Sequence, residues 1–180
     1  MEQTLILVDD KDNFLGYAPR SVCHTGQGKR HRAFVILVYN KYGQILLQHR
    51  RHHLFDKLWD LAAASHPLHI DGRDEDYIEA AKRCLRDEWG IEEIELRKID
   101  SFNYFKSYDN RCENEHCALI VGEYDGKITV NPEAAYGFRW INLKQLLFEI
   151  TQFPQTFTAW LIEAINLIQN NGYKEEIFKF

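Results

Sequence analysis

From Arg32 to Arg50 the chain reads RAFVILVYNKYGQILLQHR, two apolar runs separated by the stretch Asn40–Gly43. Aliphatic and β-branched runs of this length predict strands, and the stretch between them predicts the turn of a hairpin. Upstream, TLILVDDKDNFLGYAPR predicts two short strands around an Asp-Asn turn, and downstream LWDLAAA predicts another strand. The period then changes. In DEDYIEAAKRCLRDEWG, Ile78, Ala81, Leu85 and Trp89 recur at helical spacing, and Gly90 is a natural C-terminal stop. IELRKIDSFNYFKSY and NEHCALIVGEYDG return to strand patterns. YGFRWINLKQLLFEI predicts a strand followed by a short helix, and TFTAWLIEAINLIQNNG an amphipathic helix over about residues 154–171, closed by Asn-Gly. Helices interrupt antiparallel strands instead of alternating with them, so the expected class is α+β. No repeat, low-complexity segment or Pro/Gly-rich linker divides the 180 residues, which are expected to form one domain with its core at about 30–145.

Composition narrows the function classes. A net charge of −5 argues against a general nucleic-acid binder, which needs a basic face. Two local basic runs, GKRHR (28–32) and HRRHH (49–53), suit a small phosphorylated ligand instead. The four cysteines, Cys23, Cys84, Cys112 and Cys117, form no CxxC pair and no zinc-ribbon spacing, so they are expected to be reduced thiols. Neither a signal peptide nor a membrane-length apolar run is visible, and the expectation is a soluble cytoplasmic protein with no membrane partner. Nothing in the sequence assigns an oligomeric state.

The predicted helix ends on Asp87 and Glu88, one turn after Arg83. Carboxylates sit poorly at a helix C-terminus, where the dipole disfavours them, and that misplacement points to another use, such as holding a divalent cation. RCLRDEWGI, after an acidic loop, resembles the second half of a Nudix box, the helix that binds metal and a diphosphate. The usual box opens on Gly, has Glu six positions later and ends R-E-x-x-E-E-x-G. Counting back from Gly90, the opening position holds His69, the first Glu is Glu75, the Arg is Arg83, the next Glu is replaced by Cys84, and the final pair is Asp87 and Glu88. His24 and His31 lie seven apart, SHP supplies His66, and CENEHC supplies Glu113 and Glu115. Residues two apart on an extended segment face the same side, so both carboxylates can reach one ion. Three imidazoles with two carboxylates suit a Zn2+- or Mn2+-like ion better than an all-oxygen Mg2+ site. Histidines scattered on a surface are the alternative.

Across nearly the whole chain the set HT, HRAF, SHPL, ENE and FTAW is similar to type 1 isopentenyl-diphosphate isomerase, an enzyme of Nudix fold. The resemblance implies a mixed sheet sandwiched by helices, with N- and C-terminal extensions of the isomerase type. It implies metal ligation by His24, His31, His66, Glu113 and Glu115. It also implies a Mg2+ held at Glu88 together with the substrate diphosphate, Asp87 being a second carboxylate on that helix. Basic residues near the diphosphate correspond to Arg20, Lys29, Arg50 and Arg83. Trp160 corresponds to the tryptophan that faces a cationic intermediate, Tyr104 to the active-site tyrosine, and Glu115 to one of two acid/base groups. The other acid/base group of that family, a cysteine two residues before His-Pro, is replaced by Ala64, and the preceding Asn by Leu61. Ser65 is a poor substitute acid, and Cys117 is read as packing. Asp60 after Trp59 resembles isomerase-like Nudix proteins thought to be hydrolases. The resulting expectation is a metal-dependent enzyme that hydrolyses a small organic diphosphate. The alternatives are an isopentenyl-diphosphate isomerase with a substituted acid and a non-catalytic diphosphate-binding protein.

Overall fold

In the computed structural model, which describes residues 2–178, the elements follow the sequence pattern closely. β1 (Thr4–Val8) and β2 (Phe14–Pro19) form a hairpin, followed by the single turn α1 (Arg20–Cys23). Then come β3 (His31–Tyr39), β4 (Gln44–Arg50) and the short strands β5 (Trp59–Asp60) and β6 (Ala63–Ser65). A small hairpin, β7 (His69–Ile70) with β8 (Arg73–Asp74), leads into helix α2 (Tyr77–Trp89). A long hairpin follows, β9 (Leu96–Tyr108) with β10 (Arg111–Glu123). β11 (Ala135–Asn142), α3 (Leu143–Gln152), a 3-10 turn (Pro154–Thr156), α4 (Ala159–Asn170) and α5 (Tyr173–Ile177) complete the described chain. The main sheet is mixed: β10 runs parallel to β3, and the other pairings are antiparallel. The class is α+β.

The predicted β3–β4 hairpin has the expected turn. The Asn40 side chain accepts from Tyr42 and Gln44, and Gly43 takes a φ of 69°. Yet the two strands pair only at Tyr39 and Ile45 and then part. The segment 59–65 fills the fork. Its first half pairs with β4 (His49 with Trp59, Gln48 with Asp60), and its second half pairs with β3 (Val35 with Ala64, Phe34 with Ser65). Leu61, Ala62 and Ala63 are completely buried in this wedge, and the Trp89 indole donates to the Ala62 carbonyl at 2.6 Å. The alanines therefore serve close packing as well as lining a pocket.

Side chains alternate across the sheet and build two apolar layers. On one face Phe34, Ile36, Ala118 and Ile120 pack under α2 through Ala81, Cys84, Leu85 and Trp89. On the other, Val35, Leu37, Leu119 and Val121 pack under α4 through Leu161, Ala164, Ile165 and Ile168. α2 begins where Asp76 accepts the Glu79 N–H at 2.8 Å and stops at Gly90, whose φ is 63°, as the pattern predicts. The C-terminal helix starts later than expected, at Ala159 and not near 154. Phe157 is extended, and Thr158 is the N-cap, accepting the Leu161 N–H. Among the described residues no helix is long and apolar enough to cross a membrane.

Candidate active site

Four side chains converge where β3 begins, β6 ends and β10 comes alongside. His24 caps the end of α1, His31 opens β3, His66 follows β6 directly before Pro67, and Glu115 stands opposite His31 in the parallel register. One ligand atom from each lies within 4.8 Å of the others, and all four residues are buried. The imidazoles are oriented from behind. His24 Nδ1 faces the Cys112 carbonyl at 3.1 Å and a Glu113 carboxylate oxygen at 2.9 Å, and His31 Nδ1 faces the Lys29 carbonyl at 2.8 Å. An Nδ1 that donates to oxygen leaves the lone pair on Nε2, and both Nε2 atoms are buried without a hydrogen-bond partner. Such orphans are uncommon in folded proteins. Two in one cluster, beside a carboxylate, fit a divalent cation with nitrogen and oxygen ligands.

His66 is set differently. Its Nε2 lies 3.1 Å from Glu115 Oε1, and Arg20 donates to its Nδ1 at 3.5 Å. Burial drives this ring well below its ordinary pKa, and His31, Arg20 and His24 add to the effect. Burial alone raises the Glu115 carboxyl, but the nearby His31 ring, its Nε2 3.6 Å away, together with Glu113 and the Tyr104 hydroxyl, holds it below the usual value. Tyr104, the cross-strand neighbour of Glu115 on β9, donates its hydroxyl to that carboxylate; burial and the negative charge keep the phenol protonated.

A cavity of about 210 Å³ opens beside the cluster. His66, Glu113, Glu115 and Tyr104 line it, as do Arg20, Arg50, Ala64, Glu88 and Trp160. A second buried network supports the last of these. Asp60, fully buried, accepts from the Leu61 N–H, the Thr158 hydroxyl and the Trp160 indole, each at 2.8 Å, and from Arg50 at 2.9 Å. Burial pushes its carboxyl up while Arg50 and these donors oppose the shift. The Arg50 guanidinium lies 5.1 Å from the centre of the Trp160 ring. Asp60 thus fixes Arg50 and Trp160 in place and does not itself line the cavity, a role its neighbours in sequence do not reveal. Glu88, near the end of α2, is half-buried; burial pushes its carboxyl up to about 7, Asp60 and Asp87 add to this, and Arg50 opposes it.

Most of the other residues singled out by sequence lie around the cavity without lining it. Asp87 is exposed beside Arg86, 3.0 Å from its Nε. Lys29 is exposed, and its carbonyl, not its ammonium, serves the cluster through His31. Arg83 gives two hydrogen bonds of 2.8 Å to Glu75, whose carboxylate also accepts the Leu68 N–H. This clamp holds the turn that follows His66. Glu113 lines the cavity but stands behind His24, outside the tight group of four. All four cysteines are buried and reduced. Burial pushes Cys84 up to about 12 and Cys23 up to about 11, and raises Cys112 and Cys117 as well. None of them lines the cavity, and Cys117 packs in the apolar layer under α4, as its sequence position predicts. His52, noted in the sequence only as part of a basic run, lines the cavity too.

A buried imidazole–carboxylate cluster that could hold a metal ion thus opens on an arginine-lined cavity. The NUDIX domain matches residues 29–161, and the chain belongs to the Nudix family. Among curated proteins it is 32% identical to isopentenyl-diphosphate delta-isomerase 2 of Aromatoleum aromaticum, over 93% of this chain and 87% of that one. It is 34% identical to the isopentenyl-diphosphate delta-isomerase of Serratia proteamaculans, over 90% and 89%, and 36% identical to that of Haloarcula marismortui, over 80% and 79%. Among solved structures, DR0079 from Deinococcus radiodurans shares the fold with a TM-score of 0.71 at 21% identity, covering 91% of this chain and 98% of that one. The MutT protein of Methanosarcina mazei shares it with a TM-score of 0.57 at 16% identity, over 79% and 95%.

Proposed function

We propose that the protein is a metal-dependent enzyme that hydrolyses a small organic diphosphate. The observation that carries this reading is the cavity wall at residue 64. A double-bond isomerase needs one group to deliver a proton and another to remove one. Here Glu115, backed by Tyr104, faces the cavity, while position 64 offers only a methyl group and no thiol lines the cavity among the described residues. In the hydrolytic reading each side of the cavity has a role. Arg50 and Arg20 bind phosphate oxygens, with Arg50 held rigid by Asp60. Glu88 takes the proton of a water whose oxygen bonds to phosphorus as the bridging phosphorus–oxygen bond breaks. Trp160 and Ala64 leave an apolar wall for the organic group. A Mn2+ or Zn2+ ion held by His24, His31, His66 and Glu115, and a Mg2+ held at Glu88 with the diphosphate, would supply Lewis-acid polarisation of oxygen.

A second reading is isomerisation of isopentenyl diphosphate with a substituted acid. It is favoured by the Tyr104–Glu115 hydrogen bond beside the Trp160 ring, whose centre is 6.3 Å from that of Tyr104, and by the names of the curated relatives. One experiment separates the readings. Metal-loaded protein is incubated with isopentenyl diphosphate in D2O, and with a panel of other organic diphosphates including nucleotides. Phosphate or monophosphate release without deuterium uptake supports hydrolysis. Deuterated allylic product supports isomerisation and ends the hydrolase reading. Tight binding without turnover across the panel identifies a binding protein and ends both. In a companion test, Ala64→Cys raises isomerase activity only if the rest of the cavity still suits that reaction.

A further inference from the structure

Of the basic run HRRHH the hydrolytic reading uses Arg50 and gives no role to Arg51 and His52, which reach the same cavity. Arg50, Arg51 and His52 line the same cavity as Arg20. His52 lies in the loop between β4 and β5, half-buried, with its ring centre 4.1 Å from that of His53. The loop is tightly built. Asp56 accepts the His52 backbone N–H at 3.2 Å and the Tyr136 hydroxyl at 3.2 Å. Phe55 and Lys57 hold φ values of 54° and 61°, a region that side chains other than glycine seldom occupy and that a loop keeps only when its surroundings enforce it.

Inside this loop the His52 ring meets both backbone polar groups of one residue. Its Nδ1 lies 3.2 Å from the Leu54 N–H nitrogen and 3.2 Å from the Leu54 carbonyl oxygen. A neutral ring accepts from that N–H and carries its proton on Nε2. A protonated ring donates from Nδ1 to the carbonyl. The same residue therefore holds the ring in either state without turning it, and Nε2, which has no protein partner among the described residues, carries a proton in both.

We propose that His52 is a phosphate ligand that takes up a proton when a diphosphate is seated, so that binding at this site is proton-linked. The proposal rests on the reading of the substrate as a diphosphate. The groups facing the ring are Arg50 from β4, Arg20 from α1 and His53 beside it, with Asp56 on its own loop and Arg51 and Glu133 on the same cavity. In the free protein, burial and these cations keep the ring neutral, its pKa pushed down to about 4. A diphosphate neutralises the arginines and reverses the field, which favours the imidazolium. The step balances simply: a solvent proton joins Nδ1, which turns from accepting the Leu54 N–H to donating to the Leu54 carbonyl, while Nε2–H donates to a phosphate oxygen.

The test uses the full chain, loaded with Mg2+ and labelled with 15N at histidine. Inorganic diphosphate is titrated in at near-neutral pH while the His52 ring nitrogens, assigned by comparison with His52→Asn, are followed by NMR. Both nitrogens are expected to move to imidazolium values at saturation. At about pH 6.5, His52→Asn is expected to bind diphosphate about tenfold more weakly than the wild type, the size of one charge-assisted hydrogen bond. The gap should narrow by about pH 8.5, where His52→Lys, a fixed cation, should bind best of the three. A ring that stays neutral in the saturated complex, or equal affinities for wild type and His52→Asn at both pH values, overturns the proposal and leaves the diphosphate reading standing. A wild type that shows no saturable binding of diphosphate overturns both.

Discussion

The cavity is bordered by two buried polar groups of similar depth and opposite completeness. Around Asp60 the carboxylate is fully engaged: donors from Arg50, Leu61, Thr158 and Trp160 converge on it, and only the Nε of Arg50, at the edge of the network, is buried without a partner. Around Glu115 the demands are left open. His24 and His31 hold buried Nε2 atoms with nothing to bond, although their Nδ1 atoms are fixed from behind. Burying an unpaired polar group costs free energy, so a protein that satisfies one cluster and leaves its neighbour open has built the second for something that comes from outside. The first group fixes geometry, and the second is the one the proposed ion would complete.

Substitutions should separate these roles. The largest effect is expected on the ligand-receiving side of the cavity and in turnover: Glu88→Gln removes the group that takes the water's proton and should lower kcat on a diphosphate substrate by about 10²–10⁴-fold, with little change in unfolding by urea. Next is the closed network. Asp60→Ala leaves Arg50 buried beside unpaired donors and should destabilise the protein by about 3–5 kcal/mol in urea titrations. If Asp60→Ala proved neutral in stability, the distinction between the two groups would collapse. A smaller effect concerns pH. The unfolded chain protonates His52 below its ordinary value of 6.5, while the folded protein resists until about 4, so folded stability falls as pH drops through that window. Because His52 is partly exposed, His52→Asn should recover only about 1 kcal/mol of that loss, measured as thermal stability between pH 6.5 and 4. Smallest of all, Asp87→Ala should alter stability by less than about 0.5 kcal/mol and turnover hardly at all, since the side chain stands in solvent beside Arg86.

The two groups were also unequally legible in the sequence. α2 could be placed from its cap, its period and its terminal glycine, all local signals. The histidines and the ENE segment stood out through resemblance, and the parallel pairing that sets Glu115 against His31 explains how positions so far apart in the chain meet. Asp60 was visible as a residue but not as an anchor, because its partners Thr158 and Trp160 lie about a hundred residues away and only tertiary packing joins them. The hairpin turn at Asn40–Gly43 was equally legible, but local pattern does not say that its arms part after one pair of residues. What forces them apart, the wedge 59–65, pairs half with each arm, and no local periodicity encodes that division.

That wedge separates folding from chemistry along a single short segment. Leu61, Ala62 and Ala63 are sealed inside the protein, whereas Ala64, the next residue, lines the cavity. A side chain exchanged at 64 changes what the cavity can react with while the three residues that plug the fork stay as they are. The architecture thus places a cavity-facing position directly against a site of strict packing, so that a substitution at 64 alters the cavity wall without rebuilding the sheet that supports it.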